Sequence, residues 1–264
     1  MNYLVAAFYK FVDPAFTPES LEPTRTLLKT KMLMLGIRGT ILLAEEGMNG
    51  TVVGEEPQMR EFMTYLHSLP GLDGMQFKES VVDHIPFKRT LVKLKTALIP
   101  FGRGEVQVPV NPAKKTGKYI APKDLKEWLD KGDPNLVLVD TRNDYEIKKG
   151  TFEGALDWNL RHFRDFPHVL DEHKKELEGK KVVMFCTGGI RCEKATAYAQ
   201  DQGLDVYQID GGILKYFEDV GGAHYKGDCF VFDYRVAVNP QLQPVEYDTA
   251  FPDGRAIDDL DGHD

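Results

Sequence analysis

The spacing of hydrophobic residues in the first hundred positions predicts a mixed sheet packed against two helices. Apolar runs typical of strands lie at residues 3–12, 39–44, 51–53, 75–82 and 91–98, and apolar residues recur at helical spacing over 19–35 and 57–69. Residues 45–50 are predicted to form a hairpin turn because they are rich in Gly and polar side chains. The order β-α-β-β-α-β with one extra strand is the ferredoxin-like α+β pattern.

A different pattern begins near residue 119, where strands and helices alternate. Continuous apolar runs, expected of strands buried on both faces, lie at 136–140, 181–185 and 206–210, and helices are predicted over 122–129, 192–202 and 211–217. Alternation of this kind predicts a doubly wound α/β domain with a parallel sheet. Ligands of such sheets bind beyond the carboxyl ends of the strands. Asp140 and Cys186 stand at such ends.

The length of 264 residues suggests two domains, since one domain usually takes about 100–200 residues. We place the first domain at residues 1–101 and a linker rich in Gly, Pro, Lys and Asn at 102–118. The second domain then spans 119–220, and 221–245 forms a C-terminal extension that packs on the body. Residues 246–264 form an acidic tail that we expect to be mobile.

Composition narrows the setting in which the protein works. Hydrophobic residues make up 42% and charged residues 28%, which is ordinary for a globular protein. Three cysteines are too few for a secreted disulfide framework or a four-cysteine zinc site. No apolar run reaches the length of a membrane span, and the N-terminus lacks the features of a signal peptide. We therefore expect a cytoplasmic protein with no membrane partner; its oligomeric state does not follow from the sequence.

The net charge of −8 hides a gradient along the chain. Residues 1–118 hold 15 basic and 12 acidic side chains, whereas residues 246–264 hold 1 basic and 7 acidic ones. Residues 85–118 contain one acid, Glu105, and eight basic residues: Lys88, Arg89, Lys93, Lys95, Arg103, Lys114, Lys115 and Lys118. This strip is either a solvated strand face with a linker or a surface that binds a polyanion.

The strongest candidate for chemistry is a loop between a buried strand and a helix. It consists of Cys186, Thr187, Gly188, Gly189, Ile190, Arg191 and Cys192. A thiol at this position faces backbone N–H groups and the positive end of a helix dipole, which favour the thiolate and lower its pKa. The two glycines let amides converge on an anion, which Arg191 can grip. The alternative is a buried, unreactive Cys186.

The other two cysteines carry less specific signals. Cys192 either resolves an oxidised Cys186 as a disulfide or simply packs in the first helical turn. Cys229 is isolated in the sequence, and we expect a structural role for it.

The cysteine loop resembles the active-site loop of the rhodanese family, Cys-x-x-Gly-x-Arg. The segments Asp-Thr-Arg at 140–142 and Asp-Gly-Gly-Ile at 210–213 also resemble motifs of that family. The resemblance covers about residues 119–220 and implies that Cys186 carries a persulfide, with Asp140, Arg142 and Glu146 in support. Four residues separate Cys186 from Arg191, the length of sulfur-handling loops, whereas related phosphatases have one more.

Three further segments extend the resemblance beyond the rhodanese domain. They are Glu-Gly-Met-Asn-Gly-Thr at 46–51, Pro-Phe-x-x-Thr-Leu-Val-Lys-Leu-Lys at 86–95, and Gly-Asp-Cys-Phe-Val-Phe-Asp-x-Arg at 227–235. They resemble the bacterial rhodanese-containing tRNA uridine hydroxylases, whose N-terminal domain is acylphosphatase-like. The resemblance implies hydroxylation of wobble uridine 34 to 5-hydroxyuridine with O2 and an unidentified reductant. Many relatives continue into a Cys-rich extension, which this chain replaces with its acidic tail, so a zinc requirement is not implied.

The sequence shows no motif of a cofactor site. The histidines show no facial-triad spacing, no dinucleotide fingerprint is present, and we predict no metal. His162, His168 and His173 are expected on a solvated face. The reactive group is thus Cys186, in a hydroxylase or, alternatively, in a sulfurtransferase that moves sulfane sulfur; a non-catalytic tRNA-binding or sulfur-sensing module is a third possibility.

The RNA partner implied by the resemblance is an anticodon loop, whose bases are unstacked. In the strip, Phe87 is predicted to stack on a base. The residues predicted to contact phosphates are Lys88, Arg89, Lys93, Lys95, Lys114 and Lys115.

Overall fold

The computed structural model describes residues 2–102 and 110–246. Most of the predicted linker, including Arg103 and Glu105, and the acidic tail from residue 247 onward lie outside the described residues. In the first domain the elements are β1 (Tyr3–Phe11), α1 (Pro18–Met34), β2 (Arg38–Ala44), β3 (Gly47–Glu55), α2 (Glu56–Ser68), β4 (Phe77–Val82) and β5 (Thr90–Leu94). The predicted order of strands and helices is confirmed.

These strands form one five-stranded sheet in the order β4-β1-β3-β2-β5. Neighbouring strands run antiparallel except for β2 and β5, which are parallel. Helices α1 and α2 each place apolar residues on one face by their three- and four-residue spacing. Leu28 and Met32 of α1 and Phe62 and Leu66 of α2 are therefore buried in one core with Ile41 of the sheet.

Two local predictions in this domain are wrong. The turn predicted over residues 45–50 is shorter, because Gly47 already pairs with Phe11 and Ala44 at the start of β3. A Cβ on Gly47, whose φ is 144°, would stand 2.0 Å from the carbonyl oxygen of Lys10. Glycine is thus required by close backbone approach within the sheet rather than by a turn. The strand predicted over residues 91–98 also ends earlier, at Leu94.

The second domain contains the remaining elements. They are β6 (Lys118–Ile120), α3 (Pro122–Lys131), β7 (Leu136–Asp140), α4 (Asp144–Ile147), β8 (Gly150–Phe152), β9 (Leu156–Asp157), α5 (Phe166–Leu177), β10 (Lys181–Phe185), α6 (Ile190–Asp201), β11 (Val206–Ile209), α7 (Gly212–Val220), β12 (Tyr225–Gly227), β13 (Cys229–Phe230), β14 (Ala237–Val238) and β15 (Pro244–Glu246). The helix predicted from Cys192 begins two residues earlier, and α5 was not predicted.

The central sheet of this domain is parallel, with strand order β6-β11-β10-β7-β9. Alternate residues of β10 enter two different cores, because successive side chains of a strand point to opposite faces. Val182 and Met184 pack with α5 and α6, whereas Val183 and Phe185 pack with α3 and α7. The doubly wound α/β fold predicted for this part of the chain is confirmed.

The segment after α7 returns to both sheets. Strand β12 pairs with β8, and β13, β14 and β15 form a small sheet of their own. Between β13 and β14, the Arg235 guanidinium donates a hydrogen bond of 2.8 Å to Ser80 of β4. This segment therefore connects the second domain to the first sheet. Within the described ranges, no helix is long and apolar enough to cross a membrane.

Candidate active site

Cys186 follows the last residue of β10 and is 1% exposed. Gly189 takes a left-handed conformation, with φ of 98°, and caps the N-terminus of α6. The turn brings the Gly189 backbone N–H to 3.1 Å from the Cys186 sulfur, to which it donates a hydrogen bond. The sulfur thus lies at the positive end of α6, as a strand–loop–helix connection of this length requires.

The surroundings of Cys186 stabilise its thiolate. Burial raises the pKa of this thiol, but a hydrogen bond with Cys192, the charge of Arg191 and the amides of Arg191 and Gly189 outweigh burial and lower the pKa to about 6. Because the thiolate is the nucleophilic form of cysteine, Cys186 is suited to attack near neutral pH.

The other two cysteines have the opposite character. Burial, together with the neighbouring Cys186, raises the pKa of Cys192 well above its usual value. Cys192 is thus a protonated hydrogen-bond partner of Cys186, and the role of a resolving thiol stays a prediction for it. Burial raises the pKa of Cys229 to about 12. Neither environment favours a second thiolate.

Arg191 forms a buried ion pair with Glu146. Its two terminal nitrogens lie 2.5 and 2.9 Å from the two carboxylate oxygens. This fork-shaped pairing holds the guanidinium in place beside the cysteine loop, and binding of an anion by Arg191 stays a prediction. Its charge also helps to lower the pKa of Cys186, together with the backbone amides of Arg191 and Gly189.

Asp140 and Arg142 hold the segment that carries Glu146. The Arg142 guanidinium binds both oxygens of Asp140, at 2.9 and 2.7 Å, and its side chain is fully buried. The backbone N–H of Asn143 then donates to Glu146 at 2.9 Å in a capping box at the start of α4. The three residues predicted to support the cysteine loop thus lie in one segment, residues 140–146, which pairs with Arg191 through Glu146.

A second glycine-rich turn, residues 210–213, packs against the cysteine loop. The N–H of Ile213 donates to the Cys186 carbonyl at 3.0 Å, and the N–H of Leu214 donates to the Thr187 carbonyl at 3.1 Å. Gly212, with φ of 67°, lies so close that a Cβ there would stand 2.5 Å from the Cys186 oxygen. No larger residue fits this contact without moving the cysteine loop.

The first domain supplies the other wall of the site. Between the two domains lies a cavity of about 330 Å³, whose lining includes Cys186 and Thr187 of the loop and Thr40, Asn49 and Phe87 of the first domain. This volume falls within the range of small-molecule pockets. The cations in its lining are Lys78, Lys95, Arg164, Arg191 and Arg235. Asp233, which is the one acid among the described lining residues, pairs with Arg235.

Only part of the predicted RNA-binding strip reaches this cavity. Lys95 lines it, whereas Lys88 lies over the ring of Tyr234, 4.9 Å from its centroid. Lys114 pairs with Asp13 at 3.6 Å and Lys115 pairs with Asp201, and neither lysine is among the described lining residues of the cavity. Arg89 is exposed and Lys93 is half-buried in β5.

Phe87 is not the exposed stacking platform that was expected. Its side chain is 8% exposed and packs with Val5, Val53 and Val82, with an edge on the cavity wall. Burial of a Phe side chain stabilises a protein by about 1.5–3 kcal/mol, and stacking on one base contributes about 1–3 kcal/mol. Leaving the cluster would therefore cost about as much free energy as stacking on a base returns.

The comparisons with known proteins agree with this architecture. The UPF0176 acylphosphatase like domain matches residues 3–98, and the Rhodanese-like domain matches residues 121–219. A protein named tRNA uridine(34) hydroxylase from Burkholderia cenocepacia is 45% identical over 260 residues, which are 95% of this chain and 89% of that protein. This chain belongs to the tRNA uridine(34) hydroxylase family. The resemblance inferred from the motifs is thereby confirmed.

Other relatives extend the comparison. The family member from Cupriavidus metallidurans is 46% identical over 250 residues, covering 92% of this chain and 86% of that protein. Among solved structures, a rhodanese-related protein from Thermoplasma volcanium is 25% identical, with a TM-score of 0.32 and coverage of 39% of this chain and 93% of that one.

Several residues of the cavity were missed from the sequence. His162 was expected on a solvated face, but it is half-buried and lines the cavity beside Arg164, whereas His168 is exposed and His173 stacks on Trp158. Tyr9 and Lys78 were not predicted to belong to the site. Their neighbours in sequence carry no motif, and the packing of the two domains brings them to Cys186. Within the described ranges, no group of three or more His, Cys, Asp or Glu side chains could hold a metal.

Proposed function

We propose that this chain hydroxylates uridine 34 of tRNA to 5-hydroxyuridine in an O2-dependent reaction that needs the Cys186 thiolate. Its membership of the tRNA uridine(34) hydroxylase family supports this function. The observation that carries the assignment of the site is the position of Cys186, a stabilised thiolate in the wall of a cavity between the two domains. The site of action would be the cytoplasm.

The cavity suits one nucleoside taken out of a single-stranded loop. Its volume of about 330 Å³ is at the small end for ligand pockets, and its lining combines apolar groups with cations. Anticodon-loop bases are unstacked at little cost, and enzymes that modify bases take them into such pockets. Lys95 and Arg164, both in the cavity lining, are the cations that we assign to the flanking phosphates. Lys93, Arg89 and Lys88 would extend this contact along the strip.

The stoichiometry of the reaction defines what the site must accomplish. One atom of O2 enters C5 of the uracil and the other leaves as water, which takes two electrons and two protons from an external donor. Uracil is poorly reactive at C5 until a nucleophile adds to C6. Addition of the Cys186 thiolate forms an S–C6 bond, and the C5=C6 electron pair moves toward O4, which makes C5 electron-rich. Reduction of an oxygen species by Cys186 is the other role open to this thiolate.

A second function is favoured by one specific observation. The cysteine loop has four residues between Cys186 and Arg191, and the Gly189 amide donates to the sulfur. Such a cradle also suits a persulfide, so a sulfurtransferase that passes sulfane sulfur to tRNA is the alternative.

Tandem mass spectrometry of tRNA nucleosides separates the two functions. In cells lacking the gene, loss of 5-hydroxyuridine and its derivatives supports the hydroxylase, whereas loss of 2-thiouridine species supports the sulfurtransferase. Return of the lost nucleoside is expected with the wild-type gene and with Cys229→Ala, but not with Cys186→Ser. Cys229→Ala is the matched control because Cys229 is equally buried and lies outside the cavity lining.

A further inference from the structure

Lys78 reaches from the first sheet to the second domain. It lies on β4 opposite Ala7 of β1, and its ammonium nitrogen stands 4.4 Å from the centroid of the Tyr9 ring. Its Cε atom would be 3.5 Å from a Cβ placed on Gly211, at the start of the second glycine-rich turn. The end of the side chain is therefore held between Tyr9 and that turn.

Both contacts of Lys78 lead directly to the cysteine loop. The Tyr9 hydroxyl lies close to Gly189, since a Cβ placed on Gly189 would stand 2.9 Å from it. The backbone N–H of Gly189 in turn donates to the Cys186 sulfur. The next residue after Gly211, Gly212, packs against the Cys186 carbonyl oxygen. Lys78, Tyr9 and Cys186 also line the same cavity.

Negative charges around Lys78 offset part of the effect of burying its ammonium group. Burial lowers the pKa of Lys78, and the Cys186 thiolate, Asp210 and Glu193 act against that decrease. In the part of the chain that the structure describes, no hydrogen bond or ion pair engages the ammonium. Its three N–H donors are thus available to a molecule in the cavity.

We propose that Lys78 is a catalytic residue that the N-terminal domain supplies to the cysteine site. In the free enzyme its positive charge stabilises the Cys186 thiolate across the cavity. In the reaction its ammonium donates a hydrogen bond to the uracil O4, which takes up negative charge when the S–C6 bond forms and the C5=C6 pair moves. The second role rests on the proposed function, whereas the first does not.

The first role is tested on the protein alone by the pH dependence of Cys186 alkylation with iodoacetamide. The titratable groups that interact electrostatically with Cys186 are Arg191, Cys192, Lys78 and Tyr9. Of these, Arg191 and Lys78 are the cations, so removal of the Lys78 charge should raise the pH midpoint of alkylation. Lys78→Met, which keeps the apolar stem, is expected to shift it upward by roughly one pH unit. Lys78→Arg should keep the wild-type midpoint, as should Lys95→Met, which removes another cation from the cavity lining.

The second role is tested by steady-state formation of 5-hydroxyuridine on tRNA. Loss of one donor to a developing oxyanion usually costs about 10²–10³ in kcat. We expect this loss in Lys78→Met with little change in KM, partial recovery in Lys78→Arg, and wild-type turnover in Lys29→Met on the exposed face of α1. An unchanged alkylation midpoint or an unchanged kcat in Lys78→Met overturns the proposal. If wild-type protein forms no 5-hydroxyuridine, the proposed function fails, and the alkylation profile still decides whether Lys78 acts on Cys186.

Discussion

The hydroxyl group of Tyr9 donates a hydrogen bond of 2.7 Å to Glu193, joining β1 to α6 across 184 positions of sequence. Glu193 is buried, and it also accepts hydrogen bonds from Tyr119 and Thr116. Burial and then the charge of Glu193 raise the pKa of Tyr9 well above its usual value, so Tyr9 stays a donor. Because α6 begins at the cysteine loop, this bond fixes the first sheet against the reactive sulfur.

Removal of this hydroxyl should weaken the junction between the domains. Tyr9→Phe is expected to lower the free energy of unfolding by about 1.5 kcal/mol, the low end for a hydrogen bond to a charged group, because Glu193 keeps other donors. Tyr65→Phe, on a half-buried ring that packs against Phe62, should change stability by less than about 0.5 kcal/mol. Urea titrations of both variants provide the comparison. Equal effects would show that the Tyr9 hydrogen bond contributes nothing specific.

Loss of the buried ion pair between Arg191 and Glu146 should destabilise the protein more than loss of the Tyr9 hydroxyl. Arg191→Met leaves the Glu146 carboxylate buried without its partner, which should destabilise the protein by about 3–5 kcal/mol. Arg25→Met breaks an exposed pair with Glu22 and should cost less than about 1 kcal/mol. Urea denaturation measures both. A loss in Arg191→Met no larger than that in Arg25→Met would contradict the buried-pair account.

The low pKa of Cys186 predicts how its reactivity depends on pH. The thiolate reacts and the thiol does not, so alkylation should accelerate as pH rises through about 6 and then level off. Cys192→Ala removes a hydrogen bond that stabilises the thiolate and should move the midpoint upward. Mass spectrometry of the alkylated protein gives both the rate and the site. A midpoint near 8.5, the value of an ordinary thiol, would refute the stabilised thiolate.

Lysines of the basic strip should differ in their contribution to tRNA binding. Lys95 lines the cavity, whereas the ammonium of Lys115 is paired with Asp201. Lys95→Gln should weaken tRNA binding and reduce the slope of log K against log salt by about 0.7, the value for one single-strand phosphate. Lys115→Gln should leave that slope unchanged. Filter binding at several salt concentrations checks both, and identical slopes for Lys95→Gln and wild type would remove Lys95 from the interface.

Local sequence signals predicted the parts of the site that are contiguous in the chain. A buried strand, two glycines and a helix place Cys186 at the N-terminus of α6 without help from the rest of the molecule. Asp140 and Glu146 follow a neighbouring strand, so their closeness to the cysteine loop follows from the order of a parallel sheet. Asp140 pairs with Arg142, which leaves Glu146 to pair with Arg191.

Features that depend on tertiary packing were not predictable in this way. Lys78 has no motif around it, and it reaches the site because β4 lies at the edge of the first sheet beside the second domain. Phe87 lies beside two basic residues, a pattern typical of RNA contacts, but its burial with three valines determines its position. Gly47 was assigned to a turn because glycine suits turns, whereas close approach of the Lys10 backbone requires it in a strand.

The central claim is that the Cys186 thiolate in the interdomain cavity is required for hydroxylation of uridine 34. The most direct measurement incubates purified protein with unmodified tRNA, an electron donor and isotopically labelled O2, followed by mass spectrometry of the nucleosides. The account predicts 5-hydroxyuridine carrying one labelled oxygen with the wild-type protein and none with Cys186→Ser. Undiminished labelled 5-hydroxyuridine with Cys186→Ser would contradict it.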